Sequence, residues 1–263
     1  MHMPSHTDIS QSLKNNHGIH LSHADFQTIT VIPSYRSNIS RSQHALFAER
    51  FSTDMQVRDF CWMIDRLQTT QGLRRIIFTG GEPTLWAGLD EALYYARQHS
   101  IETILLTDGF ASPAKSLPDQ VWIHAHAYLQ ADHMHNEVEK VIDFYKTHTR
   151  GVRLKLFVLP DITASQIDVI KHLAKKLQVP LDVQAGYAMQ DLHCANCPYA
   201  RMTIQPDAQT VTLCHFLPYT GQLDTALTLS DIYERYFRKK LARISEPACR
   251  QTNDGLTSAD ESL

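Results

Sequence analysis

Phe78-Thr79-Gly80-Gly81-Glu82-Pro83-Thr84-Leu85 lies between a short apolar run, 74–78, and a segment of helical periodicity, 88–99. Two glycines in succession let a backbone come close to a ligand, and Glu82 supplies an acceptor for a cationic group such as an amine. A Gly-Gly pair after a strand is in itself only a turn. Its weight comes from the segments on either side.

Upstream, residues 26–32 are rich in β-branched side chains and end at Pro33, which predicts a strand. Val57, Phe60, Cys61, Ile64 and Leu67 then fall on one face of a helix, with Ser52, Thr53 or Asp54 as its expected cap. Cys61 on that apolar face reads as a core residue. Downstream, strands are expected at 102–107, 121–129, 152–159 and 181–187. Helices are expected over 88–99, around Val138, Val141, Ile142 and Tyr145, and from Ile167 to Leu177. Six strands mostly alternating with helices predict a parallel sheet with right-handed crossovers. Six units are fewer than the eight of a closed barrel, and an open barrel and a doubly wound sheet both fit. In either one the chemistry belongs at the C-terminal ends of the strands.

The chain has 263 residues, 43% of them hydrophobic, enough for one sizeable core and a small appendage. A formal net charge of −3 and scattered Lys and Arg leave nucleic acid unsupported as a partner. No run of about 18 apolar residues predicts a membrane span. The polar, His- and Ser-rich stretch 1–16 lacks the apolar core of a signal peptide, so a cytoplasmic protein is expected.

Of five cysteines, Cys194, Cys197, Cys214 and Cys249 crowd into the last part of the chain. Without an export signal this asymmetry reads as a metal site before it reads as disulfides. Two short strands, 201–205 and 210–214, are expected around a turn at Pro206, Asp207 and Ala208. A helix running from Leu229 to Ile244 follows, with Ser230 near its start.

The octapeptide resembles the GGEP motif of the radical SAM superfamily, whose backbone and carboxylate hold the amino group of S-adenosylmethionine. The resemblance implies a ligand role for Gly80, Gly81, Glu82 and Pro83. In that family the loop after the first strand carries C-x-x-x-C-x-x-C. The corresponding string here is Tyr35-Arg36-Ser37-Asn38-Ile39-Ser40-Arg41-Ser42-Gln43-His44, with the three ligand positions changed to Ser37, Arg41 and His44. Three thiolates hold the family's catalytic four-iron cluster, and a guanidinium, always protonated and donor-only, is no ligand for one. Arg41 is suited instead to filling the cluster's space or meeting a carboxylate or phosphate. Thr107-Asp108-Gly109 resembles the family's Thr-Asn-Gly, and Ala131-Asp132-His133-Met134-His135 resembles a Ser/Ala-Asp-x-x-His stretch of some members. Asp108, Asp132 and His135 are accordingly the candidate acids and bases; the plain alternative for Asp132 and His135 is a capping residue and a solvated first helical turn. The four late cysteines resemble a shortened SPASM or twitch extension, which implies an auxiliary iron–sulfur cluster, with zinc equally suited to four thiolates. His193 and His215 flank these candidates.

The implied architecture is a partial (βα)6 barrel of radical SAM type over 26–190. A flexible segment, 1–25, precedes it, and a cysteine-bearing β-hairpin and helix extension, 191–250, and a disordered tail, 251–263, follow. The implied function is a pseudoenzyme or partner subunit in peptide or small-molecule modification, working beside an active radical SAM maturase or on a substrate peptide. The alternatives are a SAM-binding enzyme of polar or noncanonical cluster chemistry and an electron-transfer or scaffold subunit.

Overall fold

A computed structural model describes residues 26–37, 51–110, 114–130, 135–158, 162–185, 201–213, 220–224 and 227–238. Strand β1 (Thr28–Val31) leads to helix α1 (Val57–Gln71), β2 (Arg75–Phe78), a 3₁₀ turn (Pro83–Leu85), α2 (Leu89–Gln98), β3 (Glu102–Thr107) and β4 (Gln120–His124). Then come α3 (Ala125–Gln130), α4 (His135–His148), β5 (Gly151–Val158), α5 (Ala164–Leu177) and β6 (Leu181–Ala185). The last elements are β7 (Thr203–Ile204), β8 (Thr210–Thr212), β9 (Gly221–Gln222) and α6 (Leu229–Tyr233), which runs into a π-helical turn (Glu234–Arg238).

All these strands share one sheet in the order β6-β5-β4-β3-β2-β1-β7-β8-β9. Strands β1 to β6 are parallel neighbours in chain order. A doubly wound sheet reverses its order at a switch point. This one does not, and right-handed crossovers without a reversal put the helices on one face, as in a barrel. The fold is therefore the partial-barrel α/β fold rather than the doubly wound one. On the other side of β1, β7 pairs in parallel, and β7, β8 and β9 continue as antiparallel strands.

Strand alternation divides the sheet into two chemically distinct faces. Ile29, Val31, Ile76, Phe78, Leu105, Val121, Ile123, Leu154 and Leu156 are buried under the helices. Phe60 of α1 meets Phe78 at 5.7 Å and Trp86 at 6.1 Å between ring centroids. The inner face, away from the helices, carries Thr30, Trp122, His124, Arg153, Lys155 and Asp182.

Four local expectations are corrected. The strand expected over 121–129 ends at His124, and Ala125, Tyr128 and Leu129 turn their i, i+3, i+4 spacing into α3, packed on the core. None of Ser52, Thr53 and Asp54 caps α1, whose N-cap position is Gln56 without a side-chain bond; Asp54 is drawn to Arg36 instead. At α6 the cap is Thr228, in a reciprocal box with Asp231, and not Ser230. Residues 221–222, expected as a turn, form β9 against β8, which supplies the ladder partners an isolated turn would lack.

Candidate functional site

The backbone leaves β2 through Thr79, whose N–H donates to Val31 O at 3.0 Å. It then reverses at Gly80 (φ 120°), where a Cβ would stand 2.6 Å from both Ile32 Cγ2 and Ser34 O. At Gly81 a Cβ would come within 1.9 Å of Arg36 O. The space opened by these glycines is filled by the chain's own segment 34–36, to which Gly81 N–H (onto Ser34 O, 3.1 Å) and Glu82 N–H (onto Arg36 O, 2.6 Å) donate.

Pro83 opens the 3₁₀ turn, its missing N–H costing nothing there, and Glu82 caps it. Glu82 is 0% exposed. Its Oε1 accepts from Thr84 N (3.0 Å), Thr84 Oγ1 (2.6 Å) and Thr107 Oγ1 (2.7 Å), while Oε2 accepts from Asp108 N at 2.8 Å. A carboxylate offers roughly four lone-pair positions. Oε1 is crowded, and the one position left on Oε2 belongs to a group with no exposed surface. An amine reaches it only if the residues over it move. The carboxylate's first task is to tie the end of β2 to the end of β3.

The loop after β1 is held in the same way. Arg36 donates to the Asp54 carboxylate and to Leu85 O, and its own N–H donates to Ser34 Oγ at 3.1 Å. The Tyr35 hydroxyl donates to Gln205 Oε1 at 2.6 Å, and Gln205 Nε2 donates to Thr212 Oγ1 at 2.9 Å. This joins the first loop to β8 on the far side of β1. Burial pushes the Tyr35 phenol well above its ordinary range despite the bond to Gln205. Ser37, the first changed ligand position, is exposed. Arg41 and His44 lie outside the described residues, as do Asp132, His133, Cys194, Cys197, Cys214, Cys249, His193 and His215. Among the described residues no group of three His, Cys, Asp or Glu could hold a metal ion.

Asp108 is 0% exposed and follows β3; besides the N–H it gives to Glu82, its Oδ1 accepts from Phe110 N at 3.3 Å. It therefore joins the Glu82 cluster. His135 stands apart, stacked on Tyr128 (centroids 3.7 Å, 4° between planes) with Nε2 donating to Tyr128 O at 2.6 Å.

Sequence reasoning missed a second group, on the inner face of β4, β5 and β6. Register sets Trp122 opposite Arg153, His124 opposite Lys155, and Lys155 opposite Asp182. Lys155 Nζ lies 3.2 Å from Asp182 Oδ2 and 3.9 Å from the Trp122 ring centroid, and Arg153 Cζ lies 5.8 Å from that centroid. Burial lowers the Lys155 ammonium from its ordinary range; Asp182 acts against this, while Arg201 and Arg153 lower it further. The only sequence signal was two cations alternating with apolar residues inside an otherwise apolar strand, Gly151–Val158.

No family model matches the sequence, and no curated protein matches it. Among solved structures, native anSMEcpe with bound AdoMet and Cp18Cys peptide is similar over 83% of this chain and 84% of that one, with 12% identity and a TM-score of 0.61. Native anSMEcpe with bound AdoMet matches over 79% and 80%, with 13% identity and a TM-score of 0.58. Streptococcus suis SuiB bound to S-adenosylmethionine matches over 72% of this chain and 60% of that one, with 10% identity and a TM-score of 0.51. The chain spans 38% and 41% of the chains in two further SuiB structures it matches. At such identities the likeness is one of fold. This chain has the fold of the radical SAM enzymes.

Proposed function

We propose that the chain is a pseudoenzyme or partner subunit of radical SAM type, acting in the modification of a peptide without cleaving S-adenosylmethionine itself. The observation that carries this reading is the contrast within one loop. Residues 34–36 keep a tightly bonded seat on Gly81 and Glu82, yet the ligand positions that follow are Ser37, Arg41 and His44. A scaffold retained without its thiolates supports a role in shape and binding. Glu82 acts here as a strut between β2 and β3, and Gly80, Gly81 and Pro83 shape the turn it stands in. The neighbour solved with both AdoMet and a peptide supports a peptide as the substrate class.

Cys194, Cys197, Cys214 and Cys249 are assigned to an auxiliary iron–sulfur or zinc site in the extension, consistent with their spacing. The test is anaerobic reconstitution, with iron, zinc and acid-labile sulfide measured beside Cys194→Ala and Cys197→Ala, followed by incubation with dithionite and S-adenosylmethionine. One metal site that those substitutions remove, with no 5′-deoxyadenosine formed, is the expected result. 5′-Deoxyadenosine from the purified chain would overturn the reading.

A further inference from the structure

The group on β4, β5 and β6 is rich in donors and poor in acceptors. Lys155, Arg153 and Arg201 bring three positive charges, and Asp182 returns one negative. Among the described residues no carboxylate lies within ion-pair distance of Arg153, whose recorded contact is the Trp122 ring. The Trp122 indole N–H is buried and finds no acceptor. Like charges gathered in a partly desolvated place repel one another, and the Lys155 side chain keeps only 9% of its surface exposed. In a chain of net charge −3, clustering of cations on one patch of the inner face is a local departure, not a reflection of composition. What the group lacks is an anion.

We propose that Trp122, Arg153, Lys155 and Arg201 form a subsite for a carboxylate side chain of the substrate peptide. The Trp122 ring offers a flat apolar wall, and the half-buried Arg153 presents a planar fork beside it that suits a carboxylate. Asp182 holds the Lys155 ammonium in place, and Arg201, exposed on the segment leading into β7, reaches the group from the extension's side. The subsite sits at the correct end of the sheet. Thr107 is in register with Ile123, so His124 and Lys155 stand level with Asp108, which donates to Glu82.

This inference rests on the proposed peptide-binding role and specifies what the peptide carries. The test is calorimetric titration of the full chain with a capped, glutamate-containing hexapeptide and with its glutamine counterpart, at low and high salt. The expected result is about tenfold tighter binding of the glutamate peptide, a preference that shrinks with salt and is lost in Arg153→Gln and in Lys155→Met. Equal affinity for the two peptides, no binding of either, or an unchanged preference in Arg153→Gln would overturn it. Two further arms identify the source of the carboxylate. Succinate binding as tightly as the peptide assigns the group to small molecules, and S-adenosylmethionine displacing the peptide assigns it to a nucleoside cofactor; either overturns the peptide subsite. No reductant or iron enters this titration, so its failure is read separately from 5′-deoxyadenosine formation.

Discussion

The turn after β2 and the inner face of β4 to β6 stand level on one sheet and treat buried charge in opposite ways. Glu82 has no exposed surface, yet four donors from Thr84, Thr107 and Asp108 surround it. Lys155 is nearly as buried but has a single carboxylate and an aromatic face, with two further cations nearby. A buried charge that is fully hydrogen-bonded contributes to stability, and one that is partly compensated costs it and leaves room for a ligand to complete the set. The difference teaches where the fold is held and where it is available. The first place closes on the chain's own atoms, and the second remains short of an acceptor.

The strongest challenge to this contrast is Gly81→Ala. With Arg36 O at 1.9 Å and backbone on both sides of the clash, the turn and segment 34–36 cannot both keep their positions, and a loss of about 4 kcal/mol in urea denaturation is expected. Gly151→Ala is the control, since nothing lies within 4 Å of its Cβ; a change within about 0.5 kcal/mol is expected there. Equal effects at the two glycines would dissolve the argument for a seated loop.

Glu82→Gln comes next. It removes the charge from four hydrogen bonds and turns part of an acceptor into a donor facing donors, so a loss of about 2–3 kcal/mol is expected from the same denaturation curves. If Glu82→Gln is neutral, the strut assignment fails.

On the other side of the comparison, Lys155→Met should change stability by less than about 1 kcal/mol, because a partly compensated buried cation is replaced by packing and Asp182 keeps access to water. The pH dependence carries the sign. The Lys155 pKa is lowered in the folded protein, so the folded state bears a penalty for the charged form at neutral pH. That penalty is relieved as pH rises through the folded pKa towards the ordinary value of 10.5, and wild type should gain on Lys155→Met as denaturation is repeated from pH 7 to pH 10. A difference independent of pH would place the charge in a well-compensated site after all.

A smaller effect, away from both regions, calibrates the scale. Thr228→Ala removes one half of the capping box at α6 and should cost about 1 kcal/mol. Its bonds hold the Asp231 carboxyl below its ordinary range, so this contribution is present at neutral pH and lost as acid titrates Asp231 through its folded pKa. In the variant, nuclear magnetic resonance titration should find Asp231 nearer its ordinary value of 3.8.

Sequence alone carried the parallel α/β class, the helical stripes and the turn at Gly80 and Gly81, because each rests on a period or a residue type read within a few positions. The stripe of Phe60, Ile64 and Leu67 faces the core as its spacing requires, and Pro83 stands where a helical turn begins. The changed ligand positions at Ser37, Arg41 and His44 were legible for the same reason. Strand order was a tertiary matter, since open barrel and doubly wound sheet share one periodicity and differ only in which strands become neighbours. The end of β4 at His124 was another, because Ala125 to Gln130 satisfies helix and strand patterns alike until the β5 ladder decides. Glu82 as a strut and the group at Lys155 came from the fold alone. Their partners, Thr107 and Asp108 in one case and Trp122, Arg153 and Asp182 in the other, lie on different strands, and only the register of parallel neighbours brings such residues side by side.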